Sequence, residues 1–291
     1  VEYRITHRTI YDYSEPVTVS HHAARLQPRT TDTQQPRNFA LNIAPVPALR
    51  RQRVDYLGNQ VCSFSIQENH RRFEVTATSI VAVANERPQS LALTPAWESV
   101  VERFRDPVSP NDVAAYEFCL NSPLLYAAPE FADYARASFT HGTQLLAGAR
   151  ELMRRLHTDF IYDPRATTVA TPLTEVWEKR RGVCQDFAHL GIACLRSLGL
   201  PARYVSGYLR TIPPQGAERL IGSDASHAWF SVFCPQTGWV DFDPTNNILP
   251  ANEHITVALG RDFSDVSPLS GVLTGGGEHT VDVAVDVEPL S

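Results

Sequence analysis

The stretch RRGVCQDFAHLGIACL, Arg180–Leu195, sets Cys184 directly after Gly-Val and at the head of an apolar run. That run predicts a helix from Cys184 to about Ser197, stopped by Gly199 and Pro201. A cysteine at a helix start meets unpaired N–H groups and the positive end of the dipole, which favour the thiolate. The Gly182-Val183 lead-in predicts a sharp, flexible turn that faces the sulfur outward. The same N–H groups suit an oxyanion formed at an attacked carbonyl. A free cysteine is otherwise most often a small buried hydrophobe, so the rest of the chain has to decide. Cys194, ten positions further and about 80° around the helix, is predicted to face the core.

Two downstream segments bear on that choice. In SHAWFSVFC, His227 shares a strand face with Trp229, Ser231 and Phe233. A histidine can hold the thiol proton and return it to a leaving amine. WVDFDPTNN then places Asp241 and Asp243 on one face of the next strand, which Pro244 ends. A carboxylate there can accept the imidazole's second N–H and fix its tautomer. Acidic residues are poor strand formers, so two at the end of an apolar strand ask for a reason, a solvated strand end being the plain alternative. Register is the loose joint. A symmetric four-residue hairpin loop pairing Cys234 with Trp239 sets Asp243 opposite Phe230. Asp243 then meets His227 only through a diagonal, bulged or shifted pairing.

Outward from this centre the chain divides in two. Residues 1–88 read as an N-terminal β-sandwich-like domain, with ITHRTIYDY, NFALNIAPVP and VCSFSIQEN as strands and Leu57-Gly58-Asn59 as a turn. RRFEVTATSIVAVA puts Phe73, Val75, Ala77, Ser79, Val81 and Val83 on one face. Residues 89–291 read as a helical connection and a catalytic α+β core, with 260–291 as a closing loop and strand. Within it, Leu145, Leu146, Ala149, Leu152, Met153 and Leu156 form a helical stripe. Thr171 is the predicted N-cap of a short helix with Pro172 at its first position and Gly182 as its stop.

At 291 residues, 43% hydrophobic and 20% charged, the composition is that of a soluble globular protein. A net charge of −6 argues against nucleic-acid partners, because phosphate binding needs a basic excess. No apolar run nears the roughly 18 residues that span a bilayer, so no membrane partner is expected. Five scattered cysteines without a C-x-x-C pair suggest neither disulfide framework nor zinc site, and reduced thiols in a cytoplasm are the simplest account. The chain begins at Val1, which leaves room for a removed signal peptide. His21, His22 and His70 lack partners at ligand spacing, so neither metal nor cofactor is expected. Asp186 is read as a first-turn helix residue that opposes the thiolate slightly, and His189 as structural or surface. Nothing in the residues signals an oligomeric state.

Cys in GVCQDFA, His in HAW and Asp in DPT, in that order, resemble the transglutaminase-like superfamily of papain-like cysteine enzymes. ITHRTIYDYSEPV, ARLQPR and DYLGNQV resemble the N-terminal β domain of the bacterial members, and GRDFSDVSPLSGVLTGGGEH resembles their C-terminal segment. The resemblance implies an α+β fold: an N-terminal antiparallel β domain, then a papain-like core with a nucleophile helix packed on an antiparallel sheet. It implies Cys184 as nucleophile, His227 as general base and acid, and Asp243 as orienting carboxylate, with Asp241 as the alternative acid. Tyr162 or Trp177 is the guess for a second oxyanion donor beside the Cys184 N–H, and Trp229 for a wall of the cleft. The implied activity is acyl transfer at a peptide or protein amide, favouring a cysteine peptidase or amidase, with a protein-glutamine transglutaminase as the alternative. The rival of another class is a non-catalytic peptide- or partner-binding protein on the same fold.

Overall fold

A computed structural model of the chain describes residues 1–84, 91–211 and 225–290. One strand organises the first part. β1 (Glu2–Ala24) is 23 residues long and pairs with four other strands. Beside it run β2 (Gln34–Ala44), β3 (Leu49–Val54), β4 (Gln60–Ile66) and β5 (His70–Val83). The alternation of β5 is realised: Phe73, Val75, Ala77, Ser79, Val81 and Val83 are all buried. Gly58, at φ +79°, makes the turn between β3 and β4.

The helical connection holds α1 (Trp97–Arg105), α2 (Pro110–Tyr116), α3 (Pro129–Arg136) and α4 (Leu145–Asp159), and all six stripe residues of α4 are buried. The two-residue strands β6 (Ile161–Tyr162) and β7 (Arg181–Gly182) flank α5 (Leu173–Lys179). Here the helix limits differ from expectation. Pro172, one residue after Thr171, takes the N-cap, and Thr171 Oγ1 instead accepts the Thr168 N–H. The left-handed stop is Arg180 at φ +52°, not Gly182.

α6 (Cys184–Ser197) is the predicted nucleophile helix, with Gly199 just beyond it at φ +80°. It packs on a four-stranded antiparallel sheet in the order β10-β9-β8-β11, from β8 (Ala202–Leu209), β9 (Ala225–Cys234), β10 (Gly238–Phe242) and β11 (His254–Gly260). A Cβ on Gly191 would lie 2.6 Å from the Phe230 ring, so a glycine lets α6 lie close on β9. Buried Arg196 ties the far end of α6 by donating to the carbonyls of Phe118, Ala202 and Arg261. Cys194 is fully buried, as its place on the helix predicts.

After α7 (Phe263–Val266), β12 (Leu269–Gly275) and β13 (His279–Pro289) return to β1. The first sheet therefore has seven strands drawn from both ends of the chain. It is one sheet, an antiparallel half-barrel, rather than two facing layers. Tyr3, Ile5, Val81, Val83, Val285 and Val287 from it share one apolar core with the helices and the second sheet.

Polar contacts join the two sheets at the edge strand β11. Gln34 exchanges hydrogen bonds with the Thr256 N–H and carbonyl, and Asn59 does the same with Leu259. Each side-chain amide stands in for the peptide group of a missing neighbouring strand.

Candidate active site

The setting of Cys184 begins with a carboxylate. Asp186, at the third position of α6, reaches back to accept the Val183 N–H at 2.8 Å and the Thr167 hydroxyl at 2.6 Å. A Cβ on Gly182 would lie 2.5 Å from that carboxylate, and Gly182 has no positive φ. Space for Asp186, rather than the flexibility expected, is what calls for this glycine. Burial pushes the Asp186 carboxyl up, against the opposing hydrogen bonds from Thr167 and Val183.

Asp186 and Phe187 direct their N–H groups to the Val183 carbonyl. The N–H groups of Cys184 and Gln185, one residue into the helix, have no described acceptor and remain for an incoming oxygen. Cys184 itself is half-buried, whereas Cys62, Cys194 and Cys234 are buried; all five cysteines are free thiols.

His227 and Asp243 come together by a shifted register. The ladder pairs Cys234 with Gly238, one position short of the expected Trp239, and runs to Phe230 with Phe242. Asp243, the next residue, leaves the ladder to bridge Ile248, and its side chain reaches His227. Asp243 Oδ2 accepts from His227 Nε2 at 2.8 Å, with Asp243 fully buried and His227 7% exposed. The other ring nitrogen is left for Cys184. Burial disfavours the charged imidazole, but the Asp243 hydrogen bond outweighs it, aided by Cys184, and raises His227 to about 10. Burial likewise opposes the Asp243 charge, and donors from His227 and His254 overcome it to hold the carboxyl far below its usual range.

Asp241, the alternative acid, accepts instead from Trp229 Nε1 at 3.0 Å. Trp229 is wholly buried behind His227, where it supports the strand but gives no open cleft wall. Trp177 also stands apart from its expected role. Its ring packs among Phe131, Tyr134 and Phe160, with the Arg180 guanidinium 3.8 Å above it. Tyr162 does reach the site: the parallel pair β6–β7 sets it beside Gly182, it is half exposed, and its hydroxyl is raised by burial and by Cys184. His189 is structural, accepting the Phe263 N–H with Nε2.

His254 was absent from the sequence reading. Its Nε2 donates to Asp243 Oδ2 at 3.0 Å, beside a 2.7 Å bond from Asn246 Nδ2. His227, Asp243 and His254 are, among the described residues, the one group whose donor atoms, within 4.8 Å of one another, suit a metal ion. Both imidazole Nε2 atoms donate to the shared carboxylate oxygen, so these three donor atoms are already engaged with one another. No periodic spacing could have flagged it, because its members sit on separate elements.

The family match follows this geometry. Residues 3–82 match the bacterial transglutaminase-like N-terminal region, and residues 132–244, which include all three proposed triad positions, match the transglutaminase-like superfamily core. An uncharacterized protein of Mycobacterium tuberculosis is 43% identical, spanning 99% of this chain and 93% of its own. The chain belongs to the bacterial transglutaminase-like family. A second mycobacterial relative of this transglutaminase-like chain, from Mycobacterium leprae, is 33% identical and spans 99% of both chains. The protein-glutamine gamma-glutamyltransferase of Pseudomonas aeruginosa is 32% identical over 124 residues, 40% of this chain and 19% of that one. Among solved structures, a candidate cysteine protease of Cytophaga hutchinsonii shares the fold, with TM-score 0.77 and 21% identity over 100% of this chain and 91% of that one. No described helix of the transglutaminase-like chain is long and apolar enough to cross a membrane.

Proposed function

We propose that the chain hydrolyses peptide or protein amides through a Cys184–His227–Asp243 triad. The observation that carries this reading is His227 held between Asp243, at 2.8 Å, and the half-buried Cys184 at the head of α6. A buried carboxylate fixes the imidazole so that it offers its other nitrogen to the sulfur. The thiolate attacks the amide carbon and the carbonyl electrons move onto oxygen, where the Cys184 and Gln185 N–H groups face them. Collapse breaks the C–N bond as His227 gives its proton to the departing amine, leaving a thioester on Cys184. Water, deprotonated by His227, attacks the thioester, releases the acid and restores the thiol. Tyr162, beside the nucleophile's lead-in, is the side chain placed to add a hydroxyl donor.

A second reading sends the acyl group to a primary amine. It is favoured by the similarity of the core to the Pseudomonas aeruginosa gamma-glutamyltransferase. One assay separates the two: a fluorogenic peptide-amide library incubated with and without a fluorescent primary amine. Hydrolysis gives free acid at an undiminished rate, whereas transfer gives amine-labelled product. Loss of both products in Cys184→Ala assigns the chemistry to this thiol. Equal turnover in wild type and Cys184→Ala would sink the triad reading.

A further inference from the structure

Asp243 has more donors than the orientation of His227 requires. Its Oδ1 accepts the N–H groups of Thr245 at 3.0 Å and Asn246 at 3.2 Å. Its Oδ2 accepts from Asn246 Nδ2 at 2.7 Å, His227 Nε2 at 2.8 Å and His254 Nε2 at 3.0 Å. Two backbone donors and one amide already fix the plane of the carboxylate. Three donors on one oxygen also exceed its two lone pairs, so they divide its negative charge among them. The share drawn by His254 is charge withdrawn from His227.

We propose that His254 is a positioning residue that shares Asp243 Oδ2 with His227 and so limits how tightly His227 holds the proton it must deliver. Its catalytic consequence rests on the acyl-transfer reading above. A general acid works best when it releases its proton near the working pH, and an imidazole paired with an undivided buried carboxylate would release it reluctantly.

The fold holds His254 to this task. Its side chain is 2% exposed, and the Trp229 ring meets it edge-on at 5.2 Å. Its Nδ1 is buried without a partner, so the Asp243 bond is the one the ring makes in this structure. β11, which begins at His254, is fixed along its outer edge by Gln34 and Asn59 of the half-barrel. Among the described residues, the titratable groups facing His227 are Cys184 from α6, Asp243 after β10 and His254 from β11. β8 presents Gly207 opposite His227, and Asp241 is engaged by Trp229.

The test uses the full chain with 15N-labelled histidine, in wild type, His254→Leu and His254→Gln. The Gln amide can place an N–H where the imidazole Nε2–H was. The expected result in His254→Leu is a His227 titration midpoint higher by about 0.5–1 pH unit. On a turned-over peptide amide, kcat should fall about tenfold with KM within about twofold. His254→Gln should restore both. An unmoved midpoint in folded His254→Leu, or a Gln variant that restores neither quantity, would overturn the proposal. If the Leu variant does not fold, His254→Asn, too short to reach Oδ2, takes its place with the same expected midpoint. Failure of the wild-type chain to turn over any amide would count against acyl transfer alone, because the NMR midpoint still decides the role of His254.

Discussion

Asp243 Oδ2 lies 2.8 Å from His227 Nε2 although the two residues are not register partners, since the β9–β10 ladder ends at Phe230 with Phe242 and the Asp243 backbone bridges Ile248 instead. The contact depends on Cys234 pairing with Gly238, whose φ of +81° suits the tight end of the hairpin. Asp243→Asn preserves the volume but presents an amide that can turn an N–H toward the imidazole. Turnover should fall by about 10²–10⁴-fold with the fold intact. Steady-state kinetics beside a circular-dichroism melt check both halves of this expectation.

The same pair makes stability depend on pH at two ends. His227 is raised from 6.5 to about 10, so its contribution is full below 6.5 and fades as pH rises through about 10. Asp243 is lowered, so its contribution is present above 3.8 and fades as pH falls below that. The gap in unfolding free energy between wild type and His227→Gln should be widest between pH 4 and 6.5 and shrink toward pH 10. Urea titrations at a series of pH values read it directly. A gap that widens from pH 7 to 10 would contradict the assignment.

Gly191→Ala tests the seating of the nucleophile helix. Alanine gains about 1 kcal/mol of helix propensity over glycine, but overpacking of a core costs about 1–3 kcal/mol. With the new Cβ 2.6 Å from the Phe230 ring, packing should win and the variant should be less stable. Chemical denaturation gives the sign, and a more stable variant would show that α6 can lift without cost.

Asn59→Leu strips the Leu259 N–H and carbonyl of their side-chain partners. Buried backbone groups left unpaired cost about 1–3 kcal/mol each. The loss should appear in urea unfolding and as faster hydrogen exchange at the Leu259 amide.

Much of this molecule is written in local pattern. β5 and α4 bury the residues their periods of two and 3.6 pick out, and α6 runs between the limits set by Cys184 and Gly199. What stayed hidden depends on contacts between distant segments. Whether these acids, Asp241 and Asp243, face His227 at all turns on one step of register, which composition does not encode. His254 opens a strand whose neighbour, β8, lies over forty positions earlier, and no local motif marks it. Gly182 reads as a helix stop and a flexible lead-in from sequence because the carboxylate that needs its space is four residues on. Trp177 and Tyr162 were equal guesses from type alone, and only packing separates a core aromatic from one beside the thiol.

The central claim is that His227 activates Cys184, and the alkylation rate of Cys184 by iodoacetamide at pH 7 tests it most directly. Cys119 is the internal reference, because it is also half-buried and burial pushes its thiol to about 12. Peptide mapping of wild type and His227→Ala resolves the two sites. Cys184 should be labelled first in wild type and slow by about tenfold or more in His227→Ala, with Cys119 unchanged. Equal Cys184 rates in the two proteins would contradict the account.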